Sequence, residues 1–204
     1  MSVSAERFLV VDDDDRVRVA LARTLGTIGE VVLASTCDDG KHLAVAERWT
    51  GLVVDVGLGL ESGFDVVRAA RAVDAIVPAV MVTGSDEPAH TAEALSLGVD
   101  FLRKPCTARA LREWATRAVT RRASADHAIG RALAHAQTVA RFTPAEVDVL
   151  RLAVEGRTRA EIETTRGVSK GTLDSQVKSI LAKTHARTLD VLIQEILRDA
   201  ARHR

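Results

Sequence analysis

The chain has 204 residues, is 47% apolar and 27% charged, and balances 28 Lys and Arg against 28 Asp and Glu. That is the composition of a folded soluble protein rather than a disordered one. At roughly 150 residues per domain, it is long enough for one large domain or two small ones. No apolar run approaches the roughly 18 residues needed to span a bilayer. The opening residues carry an early acid and no apolar leader core, so a cytoplasmic chain without membrane contact is expected. Cys37 and Cys106 stand alone and the His residues show no metal spacing, which disfavours a disulfide framework and a zinc site.

The neutrality conceals a division. Residues 1–106 hold 10 basic and 17 acidic side chains, whereas 107–204 hold 18 basic and 11 acidic. An acidic half joined to a basic half points to two domains with different partners, the basic one suited to nucleic acid.

In the first half, short β-rich runs at 7–11, 31–34, 52–55, 79–82 and 100–102 alternate with helical spacing at about 14–26, 38–49, 63–72 and 88–97. Near-continuous apolar runs such as Phe8-Leu-Val-Val suit strands buried on both faces. The expected fold is therefore α/β, a doubly wound five-stranded parallel sheet. In such folds ligands bind beyond the carboxyl ends of the strands.

From Thr107 no further strand is expected. Leu111, Ala115, Ala118, Ala125, Ile129, Leu133, Ala136 and Ala140 recur every three to four residues, as in one long helix or two nearly collinear ones. Unbroken from 107 to 141, it would reach about 50 Å; Gly130 is a weak point, costing roughly 1 kcal/mol relative to Ala. Its seven Arg against two acids fit either a solvated face or a coiled dimer stem. Four short helices follow. Thr143-Pro-Ala-Glu146 and Thr158-Arg-Ala-Glu161 read as capping boxes, and Gly156 and Gly167 fall where the first two helices should stop. Ser169 should cap a third helix to about Thr184, and Thr188 a fourth ending near residue 201. The pair joined through Gly167-Val168 has helix-turn-helix proportions.

The strand ends carry the chemistry. Strand one ends in Asp12-Asp13-Asp14-Asp15, strand three in Asp55, strand four in Thr83-Gly84-Ser85 and strand five in Lys104-Pro105. Converging carboxylates repel one another unless a cation lies between them, and hard oxygen ligands suit Mg²⁺. An Asp55 oxygen could then attack phosphorus, with Lys104 and the Thr83 hydroxyl meeting the added phosphoryl oxygens. Singly, each residue also suits a helix cap, a turn acid, a strand-end hydroxyl or a surface lysine; their coincidence at strand ends favours a site.

On these motifs, residues 7 to about 120 resemble the chemotaxis-type receiver domain of two-component response regulators. Phe8-Leu-Val-Val-Asp-Asp matches the first strand with its metal-binding acids. Asp55-Val-Gly-Leu with Gly63 matches the phosphoacceptor loop, and Thr83-Gly84 and Lys104-Pro105 match the family's hydroxyl and lysine. The resemblance implies that a histidine kinase phosphorylates Asp55, that Asp12, Asp13, Asp55 and the Gly57 carbonyl hold Mg²⁺, and that Gly84 leaves room for the phosphoryl group. It makes Phe101 an aromatic switch coupled to Thr83, although Phe101 also suits the core. Gly59 departs from the family's usual Pro, which loosens the loop.

Residues 142–204 carry 11 basic and 9 acidic groups, a weak excess that alone suits a polar helical bundle. Phe142-Thr-Pro-Ala-Glu, Glu155-Gly156, Glu161-Ile162 and Ser169-Lys-Gly-Thr-Leu-Asp-Ser-Gln-Val-Lys, however, resemble the LuxR-type helix-turn-helix. The resemblance implies a homodimer on double-stranded DNA, with Asp174, Ser175 and Lys178 toward bases and Lys170 and Thr172 toward phosphate. The last helix would supply dimer contacts through Leu189, Leu192, Ile193 and Ile196. Asp174 stands where the family commonly has Lys or Arg, and Gln176 where it has His. An acid there is expected to accept from cytosine N4 or to lower non-specific affinity. The expected organisation is a receiver over 1–120, a linker helix over 107–141 and a DNA-binding domain over 142–204. The function that follows is a phosphoacceptor regulator of transcription rather than an enzyme. Alternatives are C-terminal helices that serve dimerisation or protein binding, and a phosphatase using Asp12 and Asp14, which lacks a further downstream acid pair.

Overall fold

A computed structural model describes residues 6–202 apart from Asp86. It divides into two compact units, one ending at Arg122 and the other beginning at Ala123.

The first unit alternates strand and helix: β1 (Arg7–Val11), α1 (Asp15–Leu25), β2 (Glu30–Ala34), α2 (Cys37–Ala46) and β3 (Gly51–Asp55). A small hairpin of β4 (Gly57–Leu58) and β5 (Glu61–Ser62) precedes α3 (Phe64–Val73), β6 (Ala79–Thr83), α4 (Pro88–Leu97), β7 (Asp100–Arg103) and the first turns of α5 (Ala108–Ala140). The main sheet is parallel throughout, in the order β2-β1-β3-β6-β7. Successive strand residues face opposite sides. Leu9, Val11, Leu52, Val54 and Met81 therefore enter one core with Phe64 and Val67 of α3. Phe8, Val10, Val53, Val80 and Val82 enter the other with Leu111 and Trp114 of α5. This double burial explains the unbroken apolar runs.

The strands lie where the sequence places them, with β2, β3, β6 and β7 each one residue longer. Helix α2 stops at Ala46 instead of 49, because Glu47 is extended at φ −140°, ψ 167° and Trp49 turns inward, its Nε1 donating to the Leu43 carbonyl at 3.1 Å. Trp114 is buried as well, and its Nε1 donates to Asp100 at 3.0 Å. Arg121 meets the same carboxylate at 2.7 Å, and buried Arg122 pairs with Asp74 at 2.5 Å. These contacts fasten α5 to the amino-terminal edge of β7 and to the segment before β6.

The second unit holds residues 123–140 of α5 with α6 (Pro144–Val154), α7 (Arg159–Arg166), α8 (Lys170–Thr184) and α9 (Leu189–Arg202). Gly130 does not interrupt α5. Both capping boxes form, on Thr143/Glu146 and Thr158/Glu161. Gly167 closes α7 at φ 60°, a conformation that costs a side-chain-bearing residue more. Leu150, Ile162, Leu173, Val177, Ile180 and Leu192 form the centre of its core; Leu192 and Ile196, expected as dimer contacts, are buried within the unit, with Leu189 and Ile193 packed against the same core. No helix among the described residues is long and apolar enough to cross a membrane.

One carboxylate joins the start of α6 to α8 here. Glu146 accepts from the Thr143 N–H at 2.7 Å, from the Ser179 hydroxyl at 2.6 Å and from Lys183 Nζ at 2.6 Å. It is buried, and although burial raises its pKa, the bonds from Lys183, Ser179 and Thr143 outweigh that and hold it at about 2. A carboxylate whose folded pKa lies below its unfolded one stabilises the fold above the unfolded value, and loses that contribution as pH falls toward the folded value. Hydrogen exchange over 143–202 in the full chain should therefore weaken between about pH 4.5 and 2. Glu146→Ala should lower the stability of this unit by about 2–4 kcal/mol at neutral pH, and unchanged exchange would contradict the assignment.

Candidate functional site

Parallel strand ends bring the predicted acids together. Asp12 lies just past β1 and is fully buried; Asp55 ends β3 at 9% exposure. Asp12, Asp13 and Asp55 each offer a carboxylate oxygen within 4.8 Å of the others. Lys104, just beyond β7, places Nζ 2.8 Å from both Asp12 Oδ2 and Asp55 Oδ2, and its backbone N–H donates to the Thr83 carbonyl at 2.7 Å. Thr83 is 3% exposed, and its hydroxyl accepts from the Ser85 N–H at 3.0 Å. A Cβ on Gly84 would meet nothing within 4 Å. Phe101 pairs in register with Met81 and packs, partly buried, against the core beneath Asp55.

The loop after Asp55 folds back tightly. The Gly63 N–H donates to the Val56 carbonyl at 2.9 Å, and a Cβ at Gly63 would sit 1.8 Å from the Asp55 carbonyl oxygen. Only glycine fits. Gly57, exposed at the start of the hairpin, lies two residues beyond Asp55. Gly59 at the hairpin tip has φ 66°, and its N–H donates to Asp13 Oδ2 at 3.2 Å. Proline, with φ near −65° and no N–H, could do neither. Gly59, where the resemblance implies a proline, thus takes a left-handed turn and bonds one of the clustered acids.

The electrostatics leave the site short of positive charge. Burial raises the Asp55 pKa; Lys104 opposes this, while Asp12 and Asp13 add to it. Burial works against the Lys104 charge, but Asp12 and Asp55 outweigh it and raise its pKa. One ammonium faces three carboxylates, and the excess of hard oxygen donors fits a divalent cation such as Mg²⁺.

Residues 8–116 match the response regulator receiver domain. The chain belongs to that family. The C4-dicarboxylate transport transcriptional regulatory protein DctD of Pseudomonas aeruginosa is 34% identical over 115 residues, covering 54% of this chain and 24% of that protein. Nodulation protein W of Bradyrhizobium diazoefficiens is 27% identical over 199 residues, 95% of this chain and 87% of its own length. The chain spans between a quarter and about half of the length of the first curated relatives it matches. Full-length FixJ from B. japonicum shares the fold with TM-score 0.51 at 23% identity, covering 96% of this chain and 97% of that one.

Beyond the receiver site of this response regulator lies a second candidate surface, on α8. Leu173, Val177 and Ile180 are buried, while Lys170, Thr172, Ser175 and Lys178 are exposed. The Ser175 hydroxyl donates to the Gly171 carbonyl at 2.9 Å, and Thr172 receives the Ser169 cap at its N–H at 3.2 Å. Asp174 is not left as a lone acid: Arg159 of α7 donates to it at 2.7 Å. Arg166 donates to Gln176 at 2.5 Å. Sequence reading missed both arginines, because their partners lie on a different helix.

Two predictions follow from the receiver pocket. A carboxyl group whose folded pKa is raised favours folding while protonated, and that contribution is lost as pH rises through the folded pKa. Ionised Asp55 therefore opposes folding at neutral pH. In chelator-treated protein, Asp55→Asn should raise the thermal midpoint of the first unit by a few degrees, about 1 kcal/mol, and Lys104→Ala should lower it; the opposite order would contradict the charge balance. Gly59→Pro should weaken Mg²⁺ binding, measured by calorimetry, by about tenfold or more, as losing a partner of a ligand does elsewhere; wild-type affinity would show that the Gly59–Asp13 bond is idle.

Proposed function

We propose that the chain is a phosphorylation-dependent, DNA-binding regulator of transcription in a two-component system. The observation that carries the reading is Lys104 Nζ at 2.8 Å from both Asp12 and Asp55, at the carboxyl edge of a parallel sheet. In this reading residues 1–120 are the receiver, 107–141 the linker helix and 142–204 a LuxR-type helix-turn-helix domain. A histidine kinase presents a phosphohistidine. An Asp55 oxygen attacks the phosphorus of a phosphohistidine protonated at its other ring nitrogen, and as the P–N bond breaks the electron pair goes to the departing nitrogen, leaving an aspartyl phosphate on the protein and a neutral imidazole on the kinase.

Asp12, Asp13, Asp55 and the Gly57 carbonyl would hold Mg²⁺, which supplies charge neutralisation for the incoming phosphoryl group. Lys104, already paired with Asp55, exchanges a carboxylate oxygen for a phosphoryl oxygen. The Thr83 hydroxyl turns from the Ser85 N–H toward the same group, and Gly84 leaves it space. Phe101 follows Thr83 inward as the switch. The shift in residues 84–106 favours a homodimer, which sets two α8 helices in half-sites about one helical turn apart and adds a second tethered contact. Lys170 and Thr172 meet phosphate, while Ser175 and Lys178 face bases. Relatives named as transcriptional regulatory proteins support the regulatory reading, and the likeness to full-length FixJ over 96% of this chain supports the fold of both halves.

Given acetyl phosphate and Mg²⁺, the intact chain should gain the mass of one phosphoryl group, and Asp55→Asn none. No gain by the wild type, or an equal gain by the variant, overturns the receiver reading. Duplex binding whose affinity falls steeply with salt, as counterion release requires, supports the output reading. Salt-insensitive binding or none would leave the C-terminal helices to dimerisation or a protein partner.

A further inference from the structure

Asp174 is the side chain of the α8 surface least suited to meeting DNA phosphates, and its surroundings explain why it is tolerated. Arg159, the first residue of α7, donates from Nη1 to Asp174 Oδ1 at 2.7 Å, with the two side chains 58% and 45% exposed. A surface pair of this kind contributes little to folding, so stability is a poor reason for the arrangement. On α8 itself, Lys170 lies four residues before Asp174 and Lys178 four residues after it, and both are exposed. Positions four apart are neighbours on a helix surface. One carboxylate thus sits among three cations, and the patch stays positive.

The opposite end of α7 provides a contrast. There Arg166 donates to the neutral amide oxygen of Gln176 at 2.5 Å. Both ends of α7 hand a guanidinium to α8, yet only at Arg159 is the acceptor ionised. A charged acceptor fixes a guanidinium more strongly than a neutral one. The contact engages Nη1 of a planar fork that carries five N–H donors, on a side chain 58% exposed.

We propose that Arg159 is a DNA-contacting cation of this surface and that Asp174 is a positioning residue that holds its guanidinium in place. The positive charge that the LuxR-type pattern carries at position 174 comes, in this chain, from the first turn of α7. The inference rests on the DNA-binding reading and deepens it. The ligand is a pair of adjacent acceptors that a guanidinium can fork, supplied either by a guanine O6/N7 edge or by two phosphate oxygens. Asp174 acts through Arg159 and does not itself accept from cytosine.

The test uses the full chain. Duplexes are selected from a random-sequence pool by the wild type, and dissociation constants are measured at several salt concentrations for the wild type, Arg159→Ala, Arg159→Lys, Asp174→Ala, Asp174→Glu and the double variant Arg159→Ala/Asp174→Ala. Arg159→Ala should lose about 10- to 100-fold in affinity for the selected duplex. Asp174→Ala should lose less, Asp174→Glu should recover part of that loss, and Asp174→Ala should cost nothing further once Arg159 is gone.

If Arg159 forks a guanine, Arg159→Ala relaxes preference at one base position; if it forks a phosphate, affinity falls evenly across sequences and the salt slope drops by about one. Arg159→Lys, without the fork, should fail to restore binding in the guanine case and restore part of it in the phosphate case. Undiminished binding by Arg159→Ala overturns the inference, as does Asp174→Ala binding all duplexes more tightly whether or not Arg159 is present. A wild type that selects no sequence and binds no duplex overturns the DNA-binding reading itself, an outcome distinct from either.

Discussion

Three carboxylates and a single ammonium, gathered where parallel strands end, set the terms for the first unit. The convergence follows from topology: strands running the same way must finish on the same edge, and β1, β3 and β7 finish there with Asp12, Asp55 and Lys104. Like charges taken out of water are unfavourable, so the surrounding backbone is built to hold them. Gly63 lets the chain fold against the Asp55 carbonyl, Gly59 turns an amide toward Asp13, and buried Thr83 keeps its hydroxyl in local use. A site this short of positive charge is poised to take up a cation.

Much of that sheet was legible in the chain. Runs such as Phe8-Leu-Val-Val and Gly51-Leu-Val-Val can be buried only on both faces, and the acids at their ends follow directly. The β4–β5 hairpin was not legible, because strands of two residues have no periodicity to read and its turn depends on one left-handed residue. Gly59 drew attention as a departure from a family pattern, yet its consequence is a bond to a residue 46 positions away. No local rule supplies such a contact. The same holds for Arg159 and Asp174, which are 15 positions apart: their pairing exists only because α7 and α8 pack together. The capping boxes, by contrast, are local interactions, and both form.

The second unit concentrates its polar interactions at Glu146. As the reciprocal member of a capping box it starts α6, and through Ser179 and Lys183 it holds α8 against that start. Helix and cap therefore share one acceptor, and the placement of the α8 surface depends on a residue of another helix. In the first unit, α5 is fastened differently, through Trp114 and Arg121 on Asp100 and Arg122 on Asp74. The last of these is a buried ion pair, the kind of contact that is costly to break and that specifies geometry more than it adds stability.

Trp49 and Trp114 are the only two tryptophans of a chain that has no tyrosine, and both are buried in the first unit. The protein's tryptophan emission therefore originates in one half alone. A change in that light on adding any ligand reports on the surroundings of the first unit, read without attaching any dye.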